Sequence, residues 1–240
     1  MGGSYPPVNE WAVVAPAVWQ AVSLGEPYPW TVGPAARRSL AEMLPSQSVE
    51  RVFEGEEVTA INIALRDVLG RILTSEDRAK AATAALWIVR NWGGIKRGVD
   101  QIPIWSAVLG DFSELRIEAF VEARGTARIS SWSKLLAFAK PAQHAIYDAR
   151  TAVALNCVLA QLGDNRRFHM PASQNRKINA ARGYLIREPT EEARGYPDYI
   201  RLLDSVVASG LADGILQAEM NIFANAPLIA SMFGRQRELS

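Results

Sequence analysis

The chain has 240 residues, 49% of them hydrophobic and 21% charged, which is enough apolar material for a packed core. Its longest apolar runs, around Ala84 to Val89 and Ala152 to Leu162, are interrupted well short of the roughly 20 residues that cross a bilayer, so no membrane span and no signal peptide are expected. A single cysteine, Cys157, excludes an intrachain disulfide, and with only His144 and His169 beside it no spacing suggests a zinc site. The expected setting is a reducing, cytoplasmic one, with no metal and no other cofactor.

The net charge of +1 conceals an uneven distribution. From Arg90 to Arg187 there are 15 Lys and Arg against 7 Asp and Glu, a surplus of eight positive charges, while both flanks are acidic. Such asymmetry suits an anionic partner such as nucleic acid; it equally describes a solvated basic face.

In chain order, the residues through Pro6-Pro7 lack periodicity. A short helix is expected from about Ala17 to Leu24, then a rigid loop through Pro27, Pro29 and Trp30. Pro34 suits the first turn of a helix that Pro45 stops near Leu44. The region from Val49 to Glu57 is polar and ambiguous. From Val58 onward, Ile61, Leu65, Val68, Leu69 and Ile72 recur at helical spacing and predict a core helix. Ser75 is the expected cap of the next helix, which runs through AKAATAALWIVRNW until Gly93-Gly94 ends it.

The segment GGIKRGVDQIP reads as a loop. It sets Lys96 and Arg97 beside Trp92, a pairing of cations with an aromatic ring that suits phosphate and base contacts, although a tryptophan at a helix end is also ordinary core. Ser113 is the expected cap of a helix from Glu114 to about Arg124.

The stretch RISSWSKLLAFAKPAQHAIYDAR, from Arg128 to Arg150, then carries most of the chemistry. A short polar turn (Ile129, Ser130, Ser131) is expected to open an apolar helix, Pro141 to break it, and Asp148 to open the next. That next helix runs from Ala149 to Leu162. A basic loop, GDNRRFHMPASQNRK, precedes a helix from about Ser173 to Tyr184. Thr190, with Glu191 and Glu192, opens a segment that resumes after Pro197 through DYIRLLDSVVASG. The last elements are LADGILQAEMNIFANA and, after Pro227, a short helix to about Gln236.

No stretch alternates apolar and polar residues between hairpin turns, so the predicted class is all-α with roughly ten helices. One compact unit over residues 1–240 is expected: an N-terminal helical part, 1–111, and a hairpin-bearing part, 112–240, arranged as two helical lobes around a cleft.

Lys134 falls beside the stripe of Trp132, Leu135, Leu136 and Ala139, which describes a lysine with a partly covered stem and a solvated amine. Asp148 fits an N-cap whose carboxylate accepts backbone N–H bonds, and such a carboxylate is also held oriented. Cys157 reads as a buried small hydrophobe, and His144 as a packing residue or an aid to proton transfer.

This arrangement of a hairpin, a helix opening on a lysine and a proline-containing loop leading to an aspartate resembles the helix-hairpin-helix DNA glycosylases, in particular the 8-oxoguanine DNA glycosylase-fold branch. The resemblance covers about residues 112–233 and places Ser133-Lys134 at the lysine position and Tyr147-Asp148 at the aspartate position. It implies a helical fold around a cleft and a catalytic pair, Lys134 and Asp148. In AEMNIFANAPL it sets Glu219 and Phe223 where relatives hold a flipped base. It also implies that the hairpin residues Ser130 and Trp132, with Arg150, meet nucleic acid.

Relatives carry two glycines where this chain has Ser130 and Trp132. The 14-residue step from Lys134 to Asp148 is about one helical turn shorter than in the better-known enzymes. The implied activity is removal of a modified purine of the 8-oxoguanine type. A neutral lysine amine attacks the sugar C1′ and leaves a Schiff base, while the aspartate stabilises the positive charge that develops.

Two other functions fit the same residues. One is a non-catalytic helical module binding nucleic acid or a nucleotide in a bacterial defence or signalling complex, a setting in which relatives of this fold occur. The other is a helical domain that binds only protein partners.

Overall fold

The computed structural model describes residues 10–55, 57–187 and 193–239. The chain is all-α over these residues, as its periodicity predicts, apart from one short parallel pairing of two-residue strands. The expected opening at Thr190, Glu191 and Glu192 lies outside the described residues. Contacts divide the chain into two units, residues 27–148 and the two ends together, 1–26 with 149–240. The chain passes between these units at Glu26/Pro27 and at Asp148/Ala149.

The central unit contains α2 (Pro34–Met43), α3 (Ser46–Phe53), α4 (Val58–Leu73), α5 (Arg78–Trp87), α6 (Ile102–Leu109), α7 (Glu114–Arg124) and α8 (Ile129–Ala139). In α4, Leu65, Leu69 and Leu73 are fully buried at four-residue spacing, the stripe of a core helix. The neighbouring line of Asn62, Arg66 and Gly70 is buried too. A Cβ built on Gly70 would stand 2.2 Å from the carbonyl oxygen of Phe138, so the missing side chain lets α4 cross α8 at backbone contact.

Asp77, not Ser75, caps α5: its carboxylate accepts from the Lys80 N–H at 3.1 Å, while the Ser75 hydroxyl donates to the Ile72 carbonyl and closes α4. Ser113 stands at the N-cap of α7 without a side-chain cap bond. The stretch from Val49 to Glu57, ambiguous in the sequence, is helical as far as Phe53, within α3. The IPIWSAVL segment, for which the sequence predicts no helix, is α6, with Pro in its first turn.

The end unit contains α1 (Ala15–Val22), α9 (Ala149–Gln161), α10 (Arg176–Leu185), α11 (Tyr196–Ala208) and α12 (Ile215–Leu239), with strands β1 (Arg167–Phe168) and β2 (Ala193–Arg194) paired in parallel. Helix α9 is buried from Thr151 to Leu159 and packs against α12, α10 and α1. Its Asn156 side chain, fully buried, bonds both ways with the Phe168 backbone and fixes β1.

Two expected helices flanking Pro227 are a single 25-residue helix. Pro227 only removes the donor that the carbonyl of Phe223 would have taken, and buried neighbours on both sides, Phe223, Ala226, Ile229 and Ala230, carry the helix across the gap.

Candidate active site

The helical hairpin is α7, a four-residue turn at 125–128, and α8. The turn lies earlier than predicted: Ile129, Ser130 and Ser131 form the first turn of α8. Arg128 adopts a left-handed conformation, φ 56° and ψ 30°, just before it. That conformation is uncommon outside glycine. The Arg128 guanidinium donates to the Gly98 carbonyl at 2.7 Å. Gly98, itself at φ +64°, has no room for a Cβ beside it. The loop bearing Lys96 and Arg97, both exposed, is therefore fastened to the start of α8.

Trp132 is fully buried, donates its indole N–H to the Ala127 carbonyl at 3.0 Å and packs edge-on to Phe120. It anchors the hairpin from within and has no surface with which to meet a nucleic acid, so its expected contact role is corrected. Ser130 is half-buried; its carbonyl receives the Lys134 Nζ donor at 2.5 Å.

Lys134 departs from the solvated lysine its pattern describes, because the residue is only 5% exposed. Its passage is provided by Gly93: a Cβ there would stand 2.8 Å from Lys134 Cε and 2.9 Å from Cδ.

The placement of Gly93 follows from a turn of π-helix, Ile88–Trp92, that widens the end of α5; the Gly93 N–H reaches back five residues to the Ile88 carbonyl at 2.8 Å. The turn is held by Trp92, whose indole donates to Asn62 Oδ1 at 2.9 Å and whose ring meets Phe138 edge-on at 5.0 Å. Trp92 is thus core, and Arg66, buried on α4, lies 5.7 Å over the other wall, the Phe138 ring.

A joint between α8 and the segment that leads to Asp148 sits next to the lysine. Ser133 is fully buried; its Oγ accepts the Tyr147 N–H at 3.0 Å and donates to the Tyr147 carbonyl at 3.3 Å. Lys134 and Asp148 each stand one residue from this joint, on its two sides, within one unit. Ala145, Ile146 and Tyr147 are buried and non-helical, so their backbone needs such partners. His144 is buried as well. Burial holds its imidazole below the usual range, opposed by the Glu114 carboxylate and reinforced by the Lys140 ammonium. Lys140 bonds Glu114 at 2.9 Å.

The remaining expected residues belong to the end unit. On α12, Glu219 is fully buried and Phe223 is 5% exposed one turn later. The Arg150 guanidinium, from the first turn of α9, lies 4.7 Å over the Phe223 ring, a cation–π contact that occupies one face of that ring. Cys157 is buried. Among the described residues no group of three or more His, Cys, Asp or Glu is placed to hold a metal, and no helix is long and apolar enough to cross a membrane.

Sequence patterns do not single out Gly93, Arg128 or the hydroxyl of Ser133 for these roles. Gly93 has a signal in its place behind a tryptophan-ended helix, whereas nothing in the residue type of Arg128 announces a positive φ. Compared with known proteins, the chain matches no family model, and no curated protein or solved structure matches it significantly.

Proposed function

We propose that the chain is a lysine-dependent nucleic-acid glycosylase and lyase that removes a modified purine of the 8-oxoguanine type. One observation carries this reading: a lysine drawn out of solvent beside a hydroxyl joint that ties it to the residue preceding an aspartate. A structural surface lysine has no need of Gly93, of the π-helical turn behind it or of burial.

Removal of an amine from water favours its neutral, nucleophilic form. The amine attacks the sugar C1′, the bond to the base breaks and the base leaves with a proton. Loss of the amine proton and opening of the sugar ring then give the imine. A carboxylate at Asp148 offsets the positive charge on the sugar as the base departs. Elimination of the 3′ phosphate from the imine completes the lyase step. Lys96 and Arg97, exposed on the loop fastened to α8, supply cations for the backbone of the substrate.

Borohydride trapping tests the proposal. Wild type and Lys134→Gln are incubated with an 8-oxoguanine duplex and with an abasic-site duplex. The expected result is a covalent adduct with wild type that the variant does not form. No adduct on either duplex, at a protein concentration where a control glycosylase traps fully, overturns the proposal in favour of a binding module.

A further inference from the structure

We infer that Ser133 is a positioning residue, whose hydroxyl sets the spacing between Lys134 and Asp148 and thereby couples their charges. The inference rests on the lysine–aspartate chemistry proposed above and goes beyond it by assigning a residue that touches neither substrate nor leaving group.

The hydroxyl of a serine inside a helix ordinarily turns back to the carbonyl one turn earlier, as Ser205 does with Arg201 and Ser231 with Pro227. Ser133 instead spends both its donor and its acceptor capacity on one distant residue, Tyr147, fourteen positions along the chain. The result imitates a strand pairing with a side chain on one side. It holds the extended segment 145–147 against α8 at the residue before Asp148.

Both partners are fully buried, so no water competes for the bonds. The α8 side of the joint is stiff: the helix is buried from Ser131 to Phe138, and Gly70 brings α4 into backbone contact with its end. The joint is therefore the place where the separation of Lys134 from Asp148 is decided. Alanine at 133 would leave the Tyr147 N–H and carbonyl buried without these partners and free the segment to move. Threonine would keep the hydroxyl.

The test reads the coupling directly and needs no substrate. The chain has five lysines, so a protein carrying 13C-labelled lysine gives few Cε signals, and Lys134→Gln identifies the one from Lys134. Its titration midpoint is measured in wild type, Asp148→Asn, Ser133→Ala and the double variant. Neutralising a nearby carboxylate lowers an ammonium midpoint. Asp148→Asn is expected to lower that of Lys134 with Ser133 in place, and by less than half as much in the Ser133→Ala protein.

Ser133→Thr should restore the full shift. Trp87→Phe, which loses a hydrogen bond to Ser39 elsewhere in the same unit, controls for lowered stability and should leave the shift intact. If alanine does not support folding, Ser133→Cys keeps the volume and replaces the hydroxyl with a weak donor in the same cycle.

Equal shifts with and without the hydroxyl, or no response of Lys134 to Asp148→Asn, overturn the assignment. Because trapping reports the reaction and the titration reports the coupling, a chain that forms no adduct still shows whether the Ser133 hydroxyl couples the two charges.

Discussion

Single positions around Lys134 are set by exclusion of volume as much as by charge. A methyl group on Gly93 would press on Lys134 Cε and on the Val89 carbonyl oxygen, each at 2.8 Å. The carbonyl belongs to the π-helical turn and cannot swing away, so the lysine must. Gly93→Ala is expected to cost about 1–3 kcal/mol of stability and to lower the yield of borohydride adduct about tenfold to a hundredfold, as for a displaced reacting group. An unchanged adduct yield at an unchanged melting temperature would show that the lysine has another path.

His144 makes a pH prediction with a definite sign. Its imidazole is held below its usual range chiefly by burial, so the unfolded chain takes up its proton first as pH falls. Stability from the neutral ring is fully present above the unfolded value of about 6.5 and is lost as pH drops from there towards the folded value. His169, depressed by burial and by Arg182, acts in the same window in the other unit. His144→Gln should therefore flatten part of the loss between about pH 7 and pH 5 in thermal melts. A melting curve with the same pH slope as wild type would contradict it.

At the scale of elements, most of the helical content is legible from periodicity, and the exceptions have physical causes. The stripe on α4 and the apolar length of α9 follow from spacing alone because burial repeats with the helix. Helix α6 is hidden because the loop's glycines run into Ile102-Pro103, and a proline that opens a helix looks like one that ends a loop. Pro227 suggests a break that does not occur, because packing on both sides outweighs one lost backbone bond. The hairpin turn comes earlier than its residue types suggest because its turn-forming residue is an arginine in a glycine-like conformation.

Lys134 and Asp148 stand out in the sequence as candidates; the burial of Lys134 does not, since it depends on a glycine some forty residues earlier and on a π-helical turn. The crossing of α4 and α8 is the element on which this geometry rests. Gly70→Ala forces a Cβ into the Phe138 carbonyl and should destabilise the chain by about 3 kcal/mol. Asn175, which accepts two N–H bonds at the start of α10 in the other unit, is a milder case. Asn175→Ala should cost about 1 kcal/mol. Urea melts with an unchanged m-value would check both; a Gly70→Ala midpoint equal to that of Asn175→Ala would show that the crossing yields cheaply.

For the molecule as a whole, the division into units reassigns the basic surplus. Between residues 90 and 148 there are 8 Lys and Arg against 6 Asp and Glu, whereas 149–187 has 7 against 1. The surplus is therefore concentrated in the end unit, where part of it is structural. The Arg166 guanidinium bonds Asp164, pairs with Glu10 and lies over the Trp11 ring, and Arg167 is buried. Arg176, Lys177 and Arg187 remain exposed there.

These internal pairings tie the two chain ends together. Trp11 stacks on Phe168 at 5.1 Å, α1 packs against α9, α11 and α12, and Asn225 of α12 accepts the Glu26 N–H. The central unit, by contrast, is one uninterrupted stretch with its own buried stripe. Residues 27–148 expressed alone are expected to fold, with a helical circular-dichroism spectrum and a single cooperative thermal transition. Residues 149–240 alone should lack that transition, because the cover over Phe168 and the inner face of α9 is missing, and should gain it when a peptide of residues 1–26 is added. A cooperative transition for 149–240 without the peptide would show that α1 is an accessory to the end unit rather than part of its core.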